Sequence, residues 1–229
     1  MKKNKIILFL FIFLISCIVL TGCNNSDKEE LSNNDKVKNV FEEKSEQEII
    51  NNVELNSYIL KDESLLVTLK NNNDFDIKTL WIEPIFYDKD NKVTGTSKTG
   101  FKVIKSGKEV SINDFDIPEN YETYKIKLYL GYENNYISYT DKIEIESNNT
   151  GEKVVVTSFN KSGKDLSSLD IGVVYYKNGI PVGFSNETQY DVEKNSTTYF
   201  NIFYSYDKNF DKISFDEYKV FINSAYDKY

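Results

Sequence analysis

Val67-Thr68-Leu69-Lys70-Asn71 and Val155-Val156-Thr157-Ser158-Phe159-Asn160 decide the reading of this chain, because the second stretch is the first met again. Each is a short run of apolar and β-branched residues, the pattern of a strand buried on at least one face, and each ends on asparagine. The correspondence extends outward. Tyr87 follows Asn71 by 16 residues and Tyr176 follows Asn160 by 16. Gly95 matches Gly183, Ser106-Gly107 matches Lys194-Asn195, and Tyr124-Lys125-Ile126 matches Tyr218-Lys219-Val220. The offset is 88–89 residues at first and 94 at the end, so the second copy carries a longer late loop. A repeat of this length can close its own core, which predicts tandem domains rather than a solenoid. Ser147-Asn148-Asn149-Thr150-Gly151 reads as a small polar linker, dividing the chain into domains at 51–147 and 152–229.

Within the first copy, apolar alternations at 53–60, 65–70, 78–87, 100–104, 109–115, 124–132 and 136–145 are separated by Asn, Asp, Gly and Lys clusters. Strands at such spacing predict an all-β sandwich. The 17 Tyr and 15 Phe favour strands over helices. Pairing the copies sets Leu80, Ile82 and Phe86 against Leu169, Ile171 and Tyr175, apolar in both, so these face the core. The opposite face then carries Trp81, Glu83, Ile85 and Tyr87 in the first copy and Asp170, Gly172, Val174 and Tyr176 in the second. Trp81, Ile85 and Tyr87, joined by Tyr129 from a neighbouring strand, form a candidate exposed binding patch for protein or sugar. Burial of that face against the second domain or a loop is the alternative.

Ile85-Phe86-Tyr87-Asp88, then Asn91-Lys92-Val93, then Lys105-Ser106-Gly107-Lys108 resemble the pattern of small extracytoplasmic domains with an FxLYD motif. Pro84 stands where the leading Phe would be, and Val174-Tyr175-Tyr176-Lys177 in the second copy lacks the Asp. The resemblance implies two tandem immunoglobulin-like β-sandwich domains borne on a bacterial lipoprotein. It brings no catalytic residue.

The start of the chain supplies an address. Lys2, Lys3 and Lys5 precede an apolar run over 6–20, which ends at Leu20-Thr21-Gly22-Cys23. A positive start, an apolar centre and small residues at the end mark an export signal, and the run is short for a spanning helix. Leu-Thr-Gly-Cys resembles the lipobox of bacterial lipoproteins. That resemblance implies cleavage before Cys23 and diacylglycerol on its thiol, with the 1–22 signal peptide removed. Two or more acyl chains hold a protein stably on a membrane. Residues 23–50 predict a disordered tether; its polar stretch 24–48, 25 residues long, would reach roughly 25–30 Å. The expected location is the extracytoplasmic face of the cell membrane. Abundant Asn, Lys and Ile with no Arg suggest an AT-rich, Gram-positive source.

Composition excludes several chemistries. Without His, and with Cys23 as the sole cysteine after cleavage, there is no Ser-His-Asp or Cys-His arrangement, no disulfide and no usual zinc set. All 28 basic residues are Lys; three leave with the signal, and against 36 acids the mature chain carries −11. That balance opposes nucleic acid as a partner. No phosphate-cradling loop and no cofactor motif occur. Asp88 and Asp90 invite a calcium reading, but the loop places Lys92, Val93 and Thr99 where oxygen, Gly and Glu are needed; a hairpin turn is the simpler reading. The expected function is a non-catalytic binding module with a protein partner in the envelope or on a host surface. A carbohydrate or small-ligand binder, using Tyr-rich 132–139 and 199–206, and a carboxylate-pair hydrolase are the alternatives.

Overall fold

Asn71 and Asn160 are buried and clamp the same turn in the two copies. The Asn71 amide donates to the carbonyls of Phe75 (2.9 Å) and Ile104 (3.0 Å), and its oxygen accepts from the Asn73 N–H at 3.0 Å. The Asn160 amide donates to the carbonyls of Lys164 (2.9 Å) and Glu193 (3.0 Å), and its oxygen accepts from the Ser162 N–H at 3.0 Å. In both copies the backbone bonds of the clamp close on a left-handed residue, Gly107 (φ 70°) or Asn195 (φ 56°), the types that adopt this conformation most readily. The repeat in sequence is therefore a repeat in hydrogen bonding.

The computed structural model describes residues 45–131 and 135–228; Cys23, the signal and most of the expected tether lie outside the described residues. The first half comprises helix α1 (Glu46–Asn51) and strands β1 (Val53–Ile59), β2 (Leu65–Asn71), β3 (Leu80–Tyr87), β4 (Val93–Thr96), β5 (Thr99–Phe101), β6 (Glu109–Ile112) and β7 (Thr123–Leu130). The second comprises β8 (Tyr136–Ser138), a 3-10 turn (Thr140–Lys142), β9 (Ile143–Asn149), β10 (Lys153–Asn160), β11 (Leu166–Lys177), β12 (Ile180–Val192), β13 (Thr197–Phe203) and β14 (Glu217–Lys228).

All pairings between these strands are antiparallel, and the fold is an all-β sandwich. In the first half, sheet β1-β2-β6 packs on a sheet in which β3 lies between β7 and the β4/β5 strand. In the second, β9-β10-β13 packs on β12-β11-β14, with β8 added beyond β14. The order of the six shared strands is the same. Leu65, Val67 and Leu69 of β2 meet Leu80, Ile82 and Phe86 of β3 in one core. Val154 and Val156 of β10 meet Leu169, Ile171, Val173 and Tyr175 of β11 in the other. The core face predicted for β3 and β11 is the observed one.

Two boundaries are corrected. Residues 147–151 are not a linker: β9 runs to Asn149 and turns back into β10, pairing Val154 with Asn149 through Asn160 with Ile143. The small polar residues there make a hairpin, and the division between the halves falls between β7 and β8. The stretch expected to be tether up to residue 50 is ordered from Ser45, immediately before α1. Ser45 caps α1 with a reciprocal capping box to Glu48. Glu46 accepts from the Leu130 N–H at 3.0 Å, and Asn73 donates to the Ile49 carbonyl at 3.0 Å. The Ser45-x-x-Glu48 capping box was legible in the sequence, but the contacts that seat so short a helix, to Leu130 and Asn73, lie far along the chain.

The halves form one compact unit. Strand β2 is buried on both faces: Leu65, Val67 and Leu69 enter the first core, and Leu66 joins Leu60, Val174, Phe184 and Phe221 in a third cluster between the halves. Beside it, Asn223 accepts from the Ser111 backbone N–H (2.8 Å) and hydroxyl (3.1 Å). Gly172 permits this approach, since a Cβ there would lie 2.6 Å from the Asn223 amide and 2.8 Å from the Ser111 hydroxyl. The face that packs against a neighbour is thus that of the second copy, whose Asp170 and Gly172 looked more polar in sequence.

Tyr176, half-buried beside this cluster, has its hydroxyl pushed up to about 12, first by burial and then by Glu109, Tyr58 and Glu217. The folded state favours neutral tyrosine, while the unfolded chain ionises near the ordinary 10.0. Stability should therefore hold below pH 10 and fall as pH rises from about 10 to about 12. Urea midpoints across this range test it, and Tyr176→Phe should flatten the fall; an unchanged slope would assign the effect elsewhere.

Candidate functional site

Alternation on β3 places Trp81, Glu83, Ile85 and Tyr87 away from the core, and β7 sets Tyr129 opposite Trp81, Lys127 opposite Glu83 and Lys125 opposite Ile85. The predicted patch residues do share one face, but it is not an open apolar surface. Ile85 is 8% exposed, lying mid-sheet between Thr96 of β4 and Lys125 of β7. Trp81 is half-buried, and Cβ atoms at Gly100 and Gly131 would each approach its ring to 2.9 Å. Lysines cover the rings. The Lys98 ammonium lies 5.1 Å from the Trp81 ring centre and 5.4 Å from that of Tyr129. Lys102 lies 5.7 Å from Trp81 and 5.1 Å from Tyr136, and Lys125 lies 5.7 Å from Tyr87. These are cation–π distances.

Glu83 is the carboxylate of this face, and it accepts the Tyr129 hydroxyl at 2.5 Å. That bond holds the Tyr129 proton above its ordinary range, ahead of the smaller effects of burial and of the Glu83 charge. The face is therefore cationic and aromatic on a chain whose overall charge is −8.

A cleft of 570 Å³ opens from the edge of this face, sharing Gly100 and Lys102 with it. Its walls carry Asn113 and Asp114 from the first half and Asn186, Thr188, Tyr190 and Tyr226 from the second. Among its lining residues, Asp170 accepts from Asn223 (2.9 Å), Asn186 (3.2 Å) and Thr188 (2.5 Å). Both Asp170 oxygens are engaged by neutral donors that tie β11 to β12 and β14, which is a structural use of a carboxylate. Tyr190 is 66% exposed at the rim, and Tyr226 meets Tyr136 edge-on at 5.0 Å. Tyr136, from the first Tyr-rich segment, and Tyr226 thus do not form the parallel pair a sugar-stacking groove would have. Tyr199 and Phe203 of the second such segment are exposed along β13, outside the cleft.

Asp88 and Asp90 sit in the turn from β3 to β4. Asp88 accepts from the N–H groups of Asp90 (2.8 Å) and Lys92 (2.9 Å), with Asn91 left-handed at φ 59°. Its carboxylate shapes the hairpin, and among the described residues no cluster of His, Cys, Asp or Glu is arranged to hold a metal ion.

Sequence reasoning missed the lysines and the cleft. Lys98 and Lys102 belong to loop and edge positions that only the broken β4/β5 strand brings over Trp81. The cleft is assembled from residues more than 50 positions apart. The one available signal was the pair Gly100 and Gly131, which leave room for a large ring beside them. The chain matches no protein-family model, no curated protein and no solved structure.

Proposed function

We propose that this chain is a lipid-anchored extracytoplasmic lipoprotein whose folded part acts by contact, as a non-catalytic binding module. The observation that carries the contact reading is the juxtaposition of the lysine-covered aromatic face around Trp81 and Tyr129 with the cleft beside it. The cationic edge and the hydrogen-bonding walls are the kind of surface that recognises a ligand by charge and hydroxyl pattern. Anchorage rests on Leu20-Thr21-Gly22-Cys23 behind its apolar run. The partner is a component of the envelope or of a host surface. The cleft favours, as a second reading, a carbohydrate or other small polar ligand, since its walls offer amides, hydroxyls and tyrosines.

Metabolic labelling with radioactive palmitate tests the anchorage. The natural chain should take up label and fractionate with membranes, and Cys23→Ala should lose both. An unlabelled, cytosolic natural chain would overturn it.

A further inference from the structure

Among the described residues five lysines pair with acids, as Lys105 does with Asp141 (2.9 Å), Lys208 with Glu63 (2.7 Å) and Lys219 with Glu109 (2.5 Å). The face formed by β7, β3 and the β4/β5 strand gathers Lys98, Lys102, Lys125 and Lys127 around the carboxylate of Glu83. Lys98, Lys125 and Lys127 are exposed there, and among the described residues no carboxylate forms an ion pair with any of them. Glu83 lies across from Lys127 and keeps its negative charge while accepting the Tyr129 hydroxyl, so it offsets one of the face's lysines and leaves the others in excess. The aromatic rings hold Lys98 and Lys125 in place without neutralising them, because a ring offers a quadrupole and no net charge. Lys125 and Lys127 are two residues apart on one face of β7, so they repeat at about 7 Å. Ammonium groups at such spacing match negative charges strung along a chain.

The adjoining cleft narrows the class. Asp114 and Asp170 on its walls repel anions, while Asn113, Asn186, Thr188 and Tyr190 present hydrogen-bonding groups. A ligand spanning both surfaces needs acidic groups over the lysines and neutral hydroxyls in the cleft. We infer that the face is a binding site for an anionic glycan, a hydroxyl-rich chain carrying carboxylate or phosphate groups, with Lys98, Lys125 and Lys127 taking its charges and the cleft its hydroxyls. An acidic polypeptide satisfies the lysines but brings few hydroxyls for the cleft. A lipid surface is too broad to enter it. This inference rests on the contact reading above and names its ligand.

The test uses the full chain in neutral detergent, titrated with alginate oligosaccharides, neutral dextran of equal length, polyglutamate, and vesicles of phosphatidylglycerol in phosphatidylcholine. Alginate should bind, weaken as salt is raised, and exceed each other probe at least tenfold. The Lys98→Gln/Lys127→Gln double variant should lose at least tenfold in alginate affinity, and Lys98→Arg/Lys127→Arg should restore most of it. Unchanged urea midpoints would show that both variants fold. Equal alginate binding by the Gln variant, or tighter binding of polyglutamate or vesicles, overturns the proposal. Failure of all glycan arms while Cys23 still takes label and intact cells still yield cross-linked partners would sink the glycan assignment and leave the contact reading standing.

Discussion

Asn160→Ala should lower the unfolding free energy by about 3 kcal/mol, because one buried amide serves several backbone groups at once. Its removal strands the Lys164 and Glu193 carbonyls and takes away the acceptor for the Ser162 N–H. The alanine also leaves a space where the amide was enclosed. Asn160→Asp should do little better, since a carboxylate cannot donate to either carbonyl and is buried as a charge. Urea unfolding followed by circular dichroism measures the loss. A cost below about 1 kcal/mol would mean that water replaces the amide and that the clamp is not what closes this turn. Asn71→Ala should behave alike in the first half, where the same spacings recur.

Phe221→Ala should cost about 3 to 5 kcal/mol, as truncating a buried aromatic does, and its more telling effect is at a distance. Phe221 belongs to β14, while the single tryptophan, Trp81, belongs to β3. Phe221 is part of the cluster with Leu60, Leu66, Val174 and Phe184 that lies between the halves. If that cluster couples the halves, Trp81 fluorescence should report an earlier urea midpoint in the variant, matching the shift in circular dichroism. Separate midpoints, with the fluorescence transition unmoved, would show two halves that merely touch.

Much of the fold was legible because strand periodicity is a local property. The candidate strands at 53–60, 65–70 and 124–132 lie within two residues of β1, β2 and β7, and the core face of β3 followed from alternation alone. The segment 136–145 was less so. It holds β8, a 3-10 turn and the start of β9, and Thr140 interrupts a pattern that looked continuous. The boundary at 147–151 was misplaced because a polar hairpin and a polar linker have the same composition. Only the pairing of β9 with β10 separates them, and pairing is not written locally.

The candidate site was legible by half for a related reason. Alternation put Trp81, Tyr87 and Tyr129 on one face. It could not say that Ile85 would be covered, nor that lysines from an edge strand would lie over the rings. A lysine in sequence is a solvated charge until a neighbouring strand supplies the π-face on which its stem rests. Asp170 misled in the opposite direction. Its polarity suggested solvent, yet it anchors Asn223 against the first half.

The seating of α1 has a mechanical consequence. Strand β1 is an edge strand, and tension drawn along its free end would peel it from β2 one rung at a time, the weakest way to load a sheet. The capped helix intercepts that pull. Through Glu46 on Leu130 and Ile49 on Asn73, traction is handed first to β7 and to the turn after β2, so several bonds must yield together before the edge is reached.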